Sequence, residues 1–150
     1  MKTHSMLAAT AFLAVLAFGV SAGFVRADDK ADPIVTPDVL ANASGEEIYH
    51  RVCQGCHMPD GRGAVGAGTY PALAGNAHLA SAQFTATTVA LGRRNMPHFA
   101  AQADLGEFEQ FVTLHLDDRQ IAAVVNYVRS HFGNRYTDEI TPADVAALHH

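Results

Sequence analysis

Apolar positions fall into four kinds of pattern along this chain of 150 residues. The first is a continuous uncharged run from Met6 to Val25, centred on Leu7, Phe12, Leu13, Val15, Leu16 and Phe18. The second is helical spacing. Ile48 and Val52 stand at i and i+4 behind Ser44-Gly45-Glu46-Glu47, where Ser44 and Glu47 have the spacing of a capping box. The pattern predicts a first helix from there to Cys53-Gln54-Gly55-Cys56-His57. Phe84, Thr88 and Leu91 predict a second helix near 81–91, with that stripe turned to the core. Ile121, Val124, Val125 and Val128 predict a last main helix, capped by Asp117 with Gln120 three residues on and followed by Gly133. Thr141-Pro142 starts a short helix carrying Val145 and Leu148. The third pattern is broken: Pro59-Asp60-Gly61-Arg62-Gly63, extended by Gly66 and Gly68 towards Tyr70, reads as loop. The fourth is ambiguous. Phe108, Phe111 and Val112 suit a helical turn, whereas Val112, Leu114 and Leu116 suit a short strand.

The first run belongs to a different category from the rest. Lys2 precedes it and Val25-Arg26-Ala27 ends it with small residues, the form of a secretory signal peptide cleaved after Ala27. An uncleaved anchor is the rival, because the run reaches the ~20 residues a span needs. The expected organisation is a signal peptide over 1–27, an extended N-terminal segment over 28–43, one domain over 44–133, and a C-terminal tail over 134–150. Without the first 27 residues, 8 basic side chains stand against 15 acidic ones, a formal charge of −7. That balance argues against nucleic acid and anionic lipid as partners.

Export leads to an oxidising compartment, where two cysteines would ordinarily pair. Their spacing argues otherwise. Cys53-Gln54-Gly55-Cys56-His57 is the pattern C-x-x-C-H, which reads as covalent haem attachment. Two thiols three residues apart on a helical turn can add to the two vinyl groups along one porphyrin edge. The adjacent His57 is then carried beneath the iron as proximal ligand. A thioredoxin-like site would need a βαβ surround, and structural zinc would need four ligands in paired clusters. The sixth position on the iron has five candidates by residue type: Met58, Met96, His78, His98 and His115. Met58 follows His57 directly and cannot easily swing to the opposite porphyrin face. Met96 lies 39 residues beyond His57 (96 minus 57), far enough for the chain to wrap the haem edge. His98 is the alternative that would make a bis-histidine site. His50, His131, His149 and His150 read as surface residues.

Over roughly 44–133 the chain resembles the class I cytochrome c family. The match rests on the haem motif, on Tyr70-Pro71-Ala72-Leu73-Ala74-Gly75-Asn76 and on Gly92-Arg93-Arg94-Asn95-Met96-Pro97-His98-Phe99. Its details are most like the cytochrome c subunits and domains serving periplasmic or membrane-bound dehydrogenases. The resemblance implies an all-α cytochrome c fold, three or four helices around one covalently bound haem c. It implies Met96 as distal ligand opposite His57, and Pro71 as carbonyl partner of the His57 ring, with Tyr-Pro standing where Gly-Pro is usual. Tyr70 becomes a candidate for a haem propionate, and Gly45, Tyr49 and Tyr127 mark the crossing of the first and last helices. The implied role is a periplasmic one-electron carrier rather than an enzyme, with a dehydrogenase as donor and an oxidase or another cytochrome as acceptor. A membrane enters only if residues 1–27 are retained. A haem enzyme or gas sensor with a labile sixth ligand, or a structural subunit of a larger oxidoreductase, are the alternatives. Ala100 to Leu116 is longer than in minimal family members and is expected to cover the haem edge near Met96, with partner docking as the sharper alternative.

Overall fold

The computed structural model describes residues 37–66, 68–101 and 114–149. The expected signal peptide, most of the N-terminal segment, and Phe108, Phe111 and Val112 lie outside them. In chain order the elements are α1 (Pro37–Leu40), α2 (Gly45–Ile48), a π-helical stretch (Tyr49–Cys53) and α3 (Gln54–His57). A two-stranded hairpin follows, β1 (Ala64–Val65) and β2 (Thr69–Tyr70), then a 3-10 turn (Ala77–Ala80). The remaining helices are α4 (Ala82–Leu91), α5 (Asp118–Ser130) and α6 (Pro142–Ala146).

Three helix starts are fixed by local chemistry. Ser44 accepts from the Glu47 amide at 3.2 Å, and Glu47 Oε2 accepts from the Ser44 amide at 2.8 Å. Asp117 with Gln120 and Thr141 with Asp144 close the same reciprocal box at α5 and α6. Each satisfies amide donors that the first helical turn leaves without intrahelical partners.

α5 is the centre of the core. Ile121, Val124, Val125 and Val128 are buried, each worth about 1.5–3 kcal/mol on leaving water. α2 crosses α5 at Gly45, where a Cβ would stand 2.7 Å from the Ala123 carbonyl carbon and 2.9 Å from the Tyr127 Cβ. Hydrogen at that position is what lets the two backbones touch. The rings of Tyr49, Tyr127 and Phe132 fill the space beside the crossing, Tyr49 and Phe132 at 4.7 Å between centroids.

The face of α4 is a correction to the hydrophobic pattern. Its core side is Ala82, Thr85, Ala86 and Ala90, packed on α5, while Phe84 and Leu91 are 42% and 50% exposed. Alanines at i, i+4 and i+8 let two helices approach closely, so small residues took the protein core and large ones the opposite side. Residues 28–43 also depart from an extended segment: α1 forms within them and Leu40 is fully buried. Gln120 Nε2 donates to the Leu40 carbonyl at 2.8 Å, which ties α1 to α5. Ala100 and Leu116 form a parallel bridge, both buried, where the chain leaves and re-enters the described fold. The tail packs as the pattern predicts, with Val145 fully buried and Leu148 against the core. His149, read as a surface residue, is a correction: its side chain is 6% exposed and sits 2.7 Å from Asp118.

Candidate haem site

The Cys53–His57 segment is positioned by the helix that α2 begins. Its middle is π-helical, a widening that recurs at functional sites and here ends on Cys53, the first of the two thiols. The helix stops at Met58, whose φ of +65° breaks the run. The buried Tyr49 hydroxyl donates to the Met58 carbonyl at 2.6 Å and holds that exit. The resemblance marked Tyr49 for its ring at the helix crossing; nothing in the pattern signals the hydroxyl's task.

His57 is buried, and its Nδ1 lies 3.0 Å from the Pro71 carbonyl oxygen. A carbonyl can only accept, so Nδ1 carries a proton and donates it to Pro71. The ring is thereby oriented with Nε2 as the nitrogen that can coordinate a metal. Pro71 reaches the ring because the chain folds tightly at Gly63. With φ at +66°, a Cβ there would stand 2.7 Å from the Pro71 carbonyl carbon. The Gly63 amide also donates to the His57 carbonyl at 3.0 Å, so one loop grips the histidine at backbone and ring.

The two thiols differ. Cys56 is exposed, whereas Cys53 is partly covered; burial, followed by the neighbouring Cys56, pushes its thiol up to about 12. That is opposite to the depressed value a redox-active C-x-x-C pair requires, and no βαβ unit surrounds it among the described residues. Both sulfurs stand on the turn that ends in His57, free of any disulfide.

Met96 comes from a separate loop. Arg93 and Met96 pair through two backbone hydrogen bonds of 3.1 and 3.0 Å, closing a tight turn with Arg94 at φ +56°. The turn is packed against Gly92, φ +72°, where a Cβ would meet the Met96 carbonyl oxygen at 2.7 Å. The Phe99 and Ala100 amides then donate to the Val89 and Ala90 carbonyls, anchoring the segment to the end of α4. Tyr70 stands apart from this arrangement: it is 39% exposed on β2 with its hydroxyl over Gly68.

Two supporting residues escaped the sequence reading. The Asn134 side chain donates to the Leu73 and Val128 carbonyls and accepts from the Asn76 amide, binding the loop after Pro71 to the end of α5. Arg129, 1% exposed, donates to the Leu79 and Ala80 carbonyls before α4. Neither position has a periodicity that would set it apart.

Covalent haem c demands two thiols on one turn, an imidazole nitrogen with a free lone pair and an apolar wall, and six-coordinate iron takes a second donor from another segment. Cys53 with Cys56, His57, Met96, and the exposed Phe84 and Leu91 have the chemistry each place asks for. From Gly63 to Gly92 the chain also carries no Asp, Glu, Lys or Arg. The model of the cytochrome c family matches residues 42–132. The chain belongs to the cytochrome c family. It is thus a protein of covalently bound haem c, and an electron carrier. The chain is 33% identical over 107 residues to the alcohol dehydrogenase (quinone) cytochrome c subunit of Gluconobacter oxydans (strain 621H), covering 70% of this chain and 22% of that one. It is 32% identical over 94 residues to the fructose dehydrogenase cytochrome subunit of Gluconobacter japonicus, covering 60% and 19%. The matched region is about a fifth of the length of these cytochrome subunits. No helix among the described residues is long and apolar enough to cross a membrane.

Proposed function

We propose that the chain carries one haem, attached through Cys53 and Cys56, with His57 and Met96 as axial ligands. It works as a periplasmic one-electron carrier that accepts electrons from a dehydrogenase and passes them to the respiratory chain. The observation that carries this reading is the His57 ring, fixed by Pro71 with its Nε2 left to coordinate. When bound, the haem iron supplies a one-electron ferric/ferrous couple. The chain supplies the rest. Pro71 keeps the ring oriented and its donor nitrogen basic. The Arg93–Met96 turn presents a soft thioether, which favours ferrous iron and raises the potential. Phe84 and Leu91, exposed on α4, would supply an apolar side to the porphyrin, and the uncharged stretch from Gly63 to Gly92 would disfavour the extra positive charge of the ferric state. Tyr70, 39% exposed on β2, would be the propionate partner. With protein donors on both faces, no open position is left for oxygen or peroxide. The leader-like residues 1–27 support export, and the relatives' names support a dehydrogenase as donor.

Absorption spectra of the oxidised and reduced holoprotein, with and without carbon monoxide, test the reading. The expected result is sharp low-spin bands, a weak methionine–ferric charge-transfer band, one haem per chain by pyridine haemochrome, and no response to carbon monoxide. Met96→Ala should then bind carbon monoxide and show a lower potential. Prompt carbon monoxide binding by the unaltered protein would instead mean a labile sixth position and a role in catalysis or sensing.

A further inference from the structure

The residue that follows His57 is strained. Met58 has φ +65° and ψ 156°, a region that glycine enters freely and residues with a side chain do not. The Pro59 after it favours that ψ but not a positive φ. Such a conformation persists where the surroundings hold it, and three hydrogen bonds do so. The Met58 amide donates to the Gln54 carbonyl at 2.9 Å, and the Met58 carbonyl accepts from the Gly61 amide at 3.1 Å and the Tyr49 hydroxyl at 2.6 Å. The first two belong to the helix end and loop that carry the strain. Of the three, the hydroxyl alone comes from the core, where the Tyr49 ring is fully buried against Tyr127 and Phe132.

The same network reaches the acceptor of the His57 ring. The Gly61 carbonyl accepts from the Leu73 and Ala74 amides at 2.7 and 2.9 Å. Pro71, two residues before Leu73, receives the Nδ1 proton of His57 at 3.0 Å. His57, Met58, Gly61, Leu73 and Pro71 therefore close a circuit of hydrogen bonds and short chain, anchored to the helix crossing through Tyr49. Burial pushes the Tyr49 hydroxyl up to about 12, so it remains a donor across ordinary pH. We propose that Tyr49 is a positioning residue for the iron ligand: by holding the Met58 carbonyl, its hydroxyl fixes the His57 ring on Pro71 and so tunes the potential. The inference rests on ligation of the iron by His57. A hydrogen bond from Nδ1 makes imidazole a stronger donor, which favours ferric iron, so loosening it should raise the potential.

The test compares Tyr49→Phe with the unaltered holoprotein, since phenylalanine keeps the packed ring and removes one oxygen. In the nitrogen-15-labelled ferrous protein, the His57 Nδ1 proton should exchange about 5-fold faster, the scale of one lost hydrogen bond. The midpoint potential should rise. Val145→Ala, a core truncation in α6, controls for general loss of stability and should leave both readings in place. Met58→Gly tests the route, because glycine adopts this backbone without strain. In that background, Tyr49→Phe should move both readings less. If Tyr49→Phe alone accumulates no haem-loaded protein, adding Met58→Gly should recover it. Readings unmoved by Tyr49→Phe, equal shifts from Val145→Ala, an undiminished effect beside Met58→Gly, or no recovery by it would each overturn the proposal. Loss of the ligation reading is distinguishable: the unaltered protein would then lack the low-spin spectrum before any substitution, and both would fall together.

Discussion

Replacing Arg129 by alanine would loosen three segments at once. The guanidinium donates from Nε to the Leu79 carbonyl at 2.9 Å and from Nη2 to the Ala80 carbonyl at 3.2 Å. It also reaches the Asp138 backbone carbonyl and both Asp138 carboxylate oxygens, at 2.7 and 2.8 Å. The carbonyls matter more than the ion pair, because Asp138 is 70% exposed while Arg129 is 1% exposed. Arg129→Ala should therefore cost about 2–4 kcal/mol in urea unfolding of the holoprotein, since buried carbonyls lose their donor. Asp138→Asn should cost much less than Arg129→Ala, because the carboxylate is solvent-exposed. Lysine at 129 would not rescue, lacking the planar fork that reaches several acceptors. From the sequence alone Arg129 is a cation in the last turn of a helix, a position that suits the helix dipole at the surface. That it turns inward depends on carbonyls fifty residues away. His57 is the opposite case: its place in C-x-x-C-H makes it legible at once, and the structure adds which nitrogen is free.

Helices here are chosen by their caps and placed by their smallest residues. Ser44 with Glu47 and Asp117 with Gln120 are local signals, and both boxes form as spaced. The crossing at Gly45 is the element on which the fold depends, because a side chain there meets the α5 backbone. Gly45→Val should exceed the ~3 kcal/mol upper range for overpacking and prevent accumulation of folded, haem-loaded protein. A soluble variant with a normal haem spectrum would count against that account. α4 shows where periodicity misleads: Phe84, Thr88 and Leu91 share a face as spaced, yet the protein core takes Ala82, Ala86 and Ala90. Hydropathy ranks a phenylalanine above an alanine, but the distance between two helix axes is set by the side chains between them.

Across the whole molecule, the ends of the described fold are fastened rather than loose. Ile140 and Val145 are 3% and 0% exposed, and Leu148 packs beside them. Ending the chain after Glu139 should remove about 3–6 kcal/mol of stability, an upper bound from burying two large side chains, while leaving the low-spin haem spectrum in place. Paired chemical denaturation curves and absorption spectra would check both halves. Acid should act on the same fastenings. Asp138 is held below its ordinary value of 3.8 by its hydrogen bond from Arg129, and Asp144 by its bonds from Thr141. Glu47 is held below 4.5 by its bonds from Ser44. A carboxylate with a lowered folded-state value contributes stability that is full above its unfolded value and lost as pH falls through the folded one. Stability should thus be flat above about pH 5 and decline below about pH 4. A decline already complete at pH 5 would show that other groups control acid unfolding.

The sequence by itself determined the chemistry that is local along the chain. Cys53, Cys56 and His57 are consecutive on one turn, the capping boxes span three residues, and Pro97 follows Met96. Short separations are fixed by backbone geometry before any tertiary contact forms. Only the tertiary structure decided what depends on distant segments meeting. The Pro71 carbonyl meets the His57 ring across a loop closed at Gly63, and Arg129 turns in to carbonyls near residue 80. Asn134 binds the loop at Leu73, and His98 and His115 come to 6.4 Å. Such contacts leave no period in the sequence, because a hydrogen bond between residues tens of positions apart constrains one atom at each end and nothing between them.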